Sequence, residues 1–400
     1  MDAYIVEWLS LIFRWLHLIT GVAWIGASFY FMWLDNSLEE PPQWKKDKGI
    51  KGDLWAIHGG GVYEVAKYHN EPEQMPDTLH WFKWEAYSTW LTGMVLLTLI
   101  YYLGAESYLI DRRVADLTQW QAIAIGLGFL VGGWVVYEGL CRSPLAKKGF
   151  AVSAVLILLA VAASYGLTHL FSGRGAYIHM GAMIGTIMVG NVFRVIMPSQ
   201  RALVAAIEKG EQPDPGWGAR AKLHSTHNTY LTLPVLFIMI SAHYPMTYTH
   251  QYNWLVLLAI IAITAVARQY FVLKHKQVSK PQLLVGAGLA TIVLAVVIAP
   301  PSAKPVSGEG EAAPIAADQA LGIIQQRCGS CHSAAPTDEV FTVAPGGVTF
   351  DDLDEVLRWA PRIKARTVDA TDMPFMNKTG MTRQERRQIG AWIAAGTPGG

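Results

Sequence analysis

Eight long apolar stretches, near 7–33, 86–104, 120–140, 149–170, 176–197, 228–243, 253–273 and 282–300, fill the first three quarters of a 400-residue chain. A bilayer core about 30 Å thick takes roughly 20 mostly apolar residues per helix. The chain therefore reads as all-α, a polytopic membrane helix bundle of about eight spans. The sixth stretch is the shortest and ends in polar SAHYP. Composition agrees: 52% of residues are hydrophobic, only 16% are charged and mean hydropathy is +0.25, whereas soluble domains sit near a quarter charged. Fifteen Trp and sixteen Tyr suit the two membrane interfaces. A net charge of +1 gives no reason to expect nucleic acid. The opening MDAYIVEW has no basic n-region, so the first stretch is expected to be a retained span and not a cleaved signal.

After residue 300 the composition changes. PPSAKPVSGEGEAAPIAADQA is rich in Pro, Ala, Gly and Ser and reads as a flexible linker, followed by the pattern of a small soluble helical domain. The expected organisation is a membrane domain over 1–300, a linker over 301–317 and a cytochrome c-like domain over 318–400. Cytoplasmic loops carry the excess of Lys and Arg. The loops on one side hold sixteen, among them Lys45, Lys46, Arg142, Arg201 and Lys274, whereas the others hold Arg112, Arg113 and Arg174 alone. Both termini are thereby expected outside the cytoplasmic membrane, in the periplasm.

The tail carries CGSCH at 328–332. Cys-x-x-Cys-His is the attachment site of a c-type haem, with Cys328 and Cys331 as thioether anchors and His332 as an iron ligand. A zinc site would need two further ligands, and the tail holds no other Cys or His. Haem iron is the one metal the sequence points to. A Met sulfur commonly completes such an iron. Met373, in the MP pair ahead of the last helix, is the first choice and Met376 the alternative, with Met381 assigned to packing. That helix is marked by Thr382 and Glu385 as a capping box, by Ile389, Trp392 and Ile393 on one face, and by Gly396 at its end.

Ionisable side chains inside a span are costly and commonly functional. Arg14, His17, His179, Asn191, Arg194, His227, His243 and Arg268 stand in or at the ends of the apolar stretches. By the loop charges, His17, His179 and His243 fall toward the periplasm. They are candidates for a second, b-type haem or another redox site, the bland alternative being histidines wetted at helix ends. His17 lies about 15 Å into its span at 1.5 Å per residue, too deep for cheap solvation. Asn191, Arg194, His227 and Asn228 fall toward the cytoplasm, where the long loop also brings Trp55, His58 and three glycines. These are the types that hold a planar anion: cationic and amide donors with an aromatic wall. Helix-end snorkelling is the alternative.

RWLHLITGVAWIGASFYFMWLDNSL, LWAIHGGGVYEVAKY, LHWFKWEAYSTWLTG, SGRGAYIHMGAMIGTIMVGNVFRVIMPSQR and HNTYLTLPVLFIMISAHYPMTY resemble the membrane domain of the bacterial membrane-bound urate oxidases, or urate hydroxylases, which fuse about eight spans to a carboxy-terminal cytochrome c. The resemblance extends through the tail, including the stretch from Met373 to Thr382. It implies an inner-membrane oxidoreductase of purine catabolism that converts urate to 5-hydroxyisourate. The electrons would leave through the c-type haem to a periplasmic cytochrome or a terminal oxidase, without peroxide. A fainter likeness to other haem-handling membrane families favours His17 as a haem ligand. The alternative function is a quinol- or quinone-linked membrane cytochrome that reduces a periplasmic acceptor.

Overall fold

The computed structural model describes residues 3–68, 72, 75–112, 114–299, 314–338, 341, 344–369, 371 and 373–399. All eight apolar stretches lie on helices. They are α1 (Ala3–Ser37), α2 (Trp84–Leu96, carried on by a π-turn over Leu97–Tyr102), α3 (Gln119–Arg142), α4 (Gly149–Thr168), α5 (Gly173–Asn191), α6 (Pro215–Ser241), α7 (Asn253–His275) and α8 (Gln282–Val297). Among the described residues five helices are long and apolar enough to cross a membrane: α1, α3, α4, α7, and α5 together with its continuation to Glu208. α6 begins well before the stretch read from hydropathy. Its first turns, GWGARAKLHSTH, are too polar to register as apolar, yet Asp214 caps them by accepting from the Gly216 N–H at 2.8 Å.

α5 is the central helix, packed against α2, α3, α4 and α6. Tyr177, Met180, Ile184 and Met188 on it are buried, with Leu109, Leu130, Leu167, Phe171, Ile238 and Leu257 around them. Close approach on the α3 side depends on glycine. A Cβ on Gly133 would lie 2.6 Å from the Met183 sulfur, and one on Gly126 2.6 Å from His179 Nε2. The outside of the bundle is apolar. Ile157 and Leu158 on α4 and Val285, Leu289, Ile292, Val293 and Val296 on α8 are exposed, an apolar surface far beyond the patches a water-soluble monomer shows.

One element departs from the all-α expectation. The long loop after α1 folds into an antiparallel hairpin, β1 (Ile50–His58) paired with β2 (Gly61–Tyr68), with His58 opposite Gly61. Gly59 and Gly60 close it with φ of 57° and 81°, a left-handed pair that glycine adopts without strain and that matches strand twist. Lys45, in a short helical turn before β1, is buried between Asp53 of β1 and Glu64 of β2. Its hydrogen bonds to those carboxylates hold the ammonium above its ordinary range. Gly59 and Gly60 are therefore the turn between strands, and Gly61 opens β2.

The tail has its own core. α9 (Ala317–Cys328), α10 (Leu353–Ile363) and α11 (Arg383–Ala394) enclose Ala320, Ile324, Phe350, Val356, Ile363, Met381, Ile389 and Trp392. α9 packs against both α10 and α11. The expected linker lies almost wholly outside the described residues, and α9 starts at Ala317.

Candidate functional site

Cys328 ends α9 on its buried face, below Ile324 and Ala320. The chain then turns on the Cys328 carbonyl, which accepts from the N–H groups of Cys331 at 3.1 Å and His332 at 2.8 Å. The turn places the two thiols and the imidazole on consecutive positions of one loop. His332 Nδ1 lies 2.9 Å from the Val348 carbonyl, and a carbonyl only accepts, so Nδ1 carries the ring proton. In the neutral ring the lone pair then lies on Nε2, the form in which an imidazole binds a metal, with its orientation fixed from the other ring nitrogen. Burial pushes the Cys328 thiol up to about 12 and raises that of Cys331. Neither is in a disulfide.

The loop carrying Met373 is held from α11. Arg386 donates through Nη1 to the carbonyls of Thr367 (2.5 Å) and Met373 (2.6 Å), and through Nη2 to Asn377 Oδ1 (3.1 Å). Met373 is half-buried and Met381 buried; the Met376 side chain lies outside what is described. α11 itself starts with the expected capping box of Thr382 and Glu385. Two thiols and an imidazole on one loop beside an apolar core are of the kinds that hold a haem covalently, and the Met373 backbone is pinned from α11.

The tail meets the bundle through aromatic rings. Phe375, two residues past Met373, lies 5.6 Å from Tyr108 between ring centroids, and Phe341 lies 6.3 Å from it. Tyr108 in turn meets Tyr101 at 6.3 Å, and Tyr101 meets His179 at 6.4 Å. The Arg174 guanidinium covers Tyr108 at 4.8 Å and donates to the Tyr101 hydroxyl at 3.1 Å. A run of rings therefore leads from the middle of the bundle to the Met373 loop.

His17 and His179 do not share a site. Each gives its Nδ1 proton to a carbonyl, Thr89 and Gly175 respectively, both at 2.9 Å. His17, however, sits against Gly93, while His179 sits against Tyr101 and Tyr102, eight to nine residues further along α2. At 1.5 Å per residue the two imidazoles differ by about 12 Å in depth, too much for one iron. His179 is fully buried, and its Nε2 abuts Gly126 with no room for a flat macrocycle between. His243 is exposed beyond the end of α6. These residues do not fit a haem held between histidines.

Three of the six expected substrate residues converge where the ends of α3 and α5 meet α6. Asn191 Nδ2 donates to Asn228 Oδ1 (2.8 Å) and to the Tyr137 hydroxyl (3.1 Å), and Asn228 Nδ2 donates to the Met188 carbonyl (3.0 Å). Tyr137 also bonds His227 Nδ1 at 2.6 Å. Beside it, Glu138 pairs with Arg142 at 2.6 Å and approaches His224 Nε2 at 3.9 Å. Tyr137, Glu138 and His224 were not foreseen from the sequence; a Tyr-Glu pair at the end of an apolar run was the available signal. The network is largely closed on itself. The cavity next to it, lined by His227, Cys141, Val152, Ser153 and Leu223, measures about 110 Å³, well below the roughly 300 Å³ at which ligand pockets begin. Arg194 points outward from the π-turn after α5, and Trp55 and His58 stand exposed on the hairpin, away from this network.

Residues 3–299, the whole of α1 to α8, match the urate oxidase N-terminal family. The chain belongs to that family. Its match ends where the bundle ends, so the family assignment covers the helices and hairpin, and the CGSCH loop lies beyond it. No curated protein and no solved structure matches the chain. For a member of the urate oxidase N-terminal family, a urate-related oxidation is the activity to which the bundle's polar groups are to be related.

Proposed function

We propose that this chain is a membrane-embedded urate hydroxylase whose electrons leave through its carboxy-terminal domain. The balance is urate plus water giving 5-hydroxyisourate, two protons and two electrons. A new C5–O bond is made from water, and no oxygen is reduced to peroxide. A haem c bound at Cys328, Cys331 and His332, with Met373 as the sixth ligand, would supply a one-electron carrier for the two electrons in turn. The apolar exterior of the helices supports placement in the cytoplasmic membrane, and the charge bias of the loops supports a periplasmic tail facing a periplasmic cytochrome or a terminal oxidase.

The chain's own residues have separable tasks. The Tyr137–His227–Asn191–Asn228 network holds the His227 imidazole 2.6 Å from the Tyr137 hydroxyl, in a place to take a proton on the cytoplasmic side. The rings of Tyr101 and Tyr108, braced by Arg174, bring the bundle into contact with the Met373 loop at Phe375. The observation that carries the reading is the junction in one chain of a family-matched bundle with a loop whose His332 presents a bare Nε2. Incubating the purified protein with urate and ferricyanide under argon should yield 5-hydroxyisourate without peroxide. Reduction of ferricyanide by a quinol but not by urate would favour the quinol-linked cytochrome instead.

A further inference from the structure

Arg268 of α7 lies where α1, α6 and α7 meet and is only 3% exposed. Its guanidinium stacks on the Phe29 ring of α1 at 4.0 Å. Its Nε and Nη2 are buried and have no hydrogen-bond partner. Among the described residues no carboxylate comes within ion-pair distance of it. The ionisable groups near its charge are Tyr230 of α6 and His275 of α7. Tyr230 is itself engaged, donating to the Gln269 side chain. A buried charge is ordinarily paired, and the other embedded arginine in contact with the aromatic rings, Arg174, spends its Nε on Tyr101. Arg268 does not. Nε and Nη2 form the edge of a guanidinium that presents two parallel N–H bonds, suited to a planar anion with two adjacent acceptors.

We propose that Arg268 is the anion anchor of the bundle and that its Nε–Nη2 edge takes the substrate, a purine monoanion, by two parallel hydrogen bonds, with Phe29 fixing the plane of the guanidinium. The proposal rests on the urate reading above and names the site that the closed Asn191–Asn228 network lacks. Asn191 and Asn228 have committed their donors to one another and to neighbours. Arg268 supplies free donors and a charge of the required sign. Tyr230, which lies near that charge, and His227 are three residues apart on α6, an axial rise of about 4.5 Å. An anionic lipid headgroup offers the same chemistry, and the test separates the two sources.

The test is equilibrium binding of radiolabelled urate to the full-length protein in nanodiscs of phosphatidylcholine, without oxygen and after reduction with ascorbate, so that no electron acceptor remains. The wild type should bind urate saturably, Arg268→Gln should bind at least tenfold more weakly, and Arg268→Lys, which keeps charge without the fork, should fall between. Equal affinity in the wild type and Arg268→Gln overturns the anchor alone; a wild type that binds no urate overturns the urate reading with it. If Arg268→Gln retains urate but loses phosphatidylglycerol that co-purifies with the wild type, the edge holds a lipid phosphate and the assignment to substrate is overturned. Should the variants not fold, phenylglyoxal labelling of the wild type decides: urate should protect the peptide containing Arg268, and labelling unchanged by urate overturns the proposal.

Discussion

Glu385 joins α11 to α9, the helix that ends at Cys328, and Glu385→Gln tests that joint. Its Oε1 accepts from Arg327 Nε and Nη2 at 3.0 and 2.8 Å, one residue before Cys328. Its Oε2 accepts the Thr382 N–H at 2.6 Å and hydroxyl at 2.9 Å. Glutamine can still close the capping box through its one carbonyl oxygen, but its NH2 then faces Arg327 donor to donor, so the substitution removes the charge together with both Arg327 hydrogen bonds. A hydrogen bond to a charged group contributes about 1.5–3 kcal/mol. The Arg327 and Glu385 side chains are 21% and 16% exposed, and solvent screening lowers the expected loss to about 1 kcal/mol. Burial works against ionisation of Glu385, but the Thr382 N–H and the Arg327 guanidinium outweigh it and hold the carboxyl below its usual range. The contribution is therefore complete above the unfolded-state value, as at pH 7, and disappears as pH falls through the depressed folded value. Hydrogen exchange of the full chain, read on peptides covering 317–328 and 383–394, should run roughly fivefold faster in the variant at neutral pH. Below the folded value the two proteins should converge. Equal exchange at neutral pH, or an undiminished difference in acid, refutes the linkage.

Cys328→Ala or His332→Ala should abolish covalently retained haem on a haem-stained denaturing gel. Met373→Ala should leave haem attached but lower its midpoint potential in a redox titration; an unchanged potential moves the ligand to Met376. Tyr137→Phe strands a buried Asn191 donor and unties His227. It should cost about 1–3 kcal/mol in thermal unfolding and slow urate turnover more than it weakens urate binding. Tyr108→Leu should slow reduction by urate and leave reduction by ascorbate unchanged in stopped-flow absorbance. Trp392→Ala, emptying a fully buried site, should destabilise the tail by about 3–5 kcal/mol in denaturant titration.

The helices were legible in the sequence because long apolar runs admit few other folds, and the last one because Thr382 and Glu385 lie at capping-box spacing with Ile389 and Trp392 on one face. The hairpin was not. Its strands mix charged and apolar residues, and its pairing is fixed by the ion pairs of Lys45 with Asp53 and Glu64, which no local pattern announces. Individual polar residues inside spans were conspicuous through their cost, Asn191, His227 and Arg268 among them. Their partners depend on how helices distant in the chain pack: Tyr137 reaches Asn191 from α3, and Phe29 reaches Arg268 from α1. Depth along the spans already set His179 shallower than His17; only the packing shows which levels of α2 the two rings meet. Tyr108 gave no sign, because its role depends on contact with Phe375 in another domain.

The account depends most on urate delivering electrons to the carboxy-terminal domain. Purified protein, oxidised and free of oxygen, should be mixed with substoichiometric urate while the visible spectrum is followed. The ferrous c-type band should grow to two reduced haems per urate consumed. A spectrum that stays ferric with urate, yet turns ferrous when ascorbate is added, would contradict it.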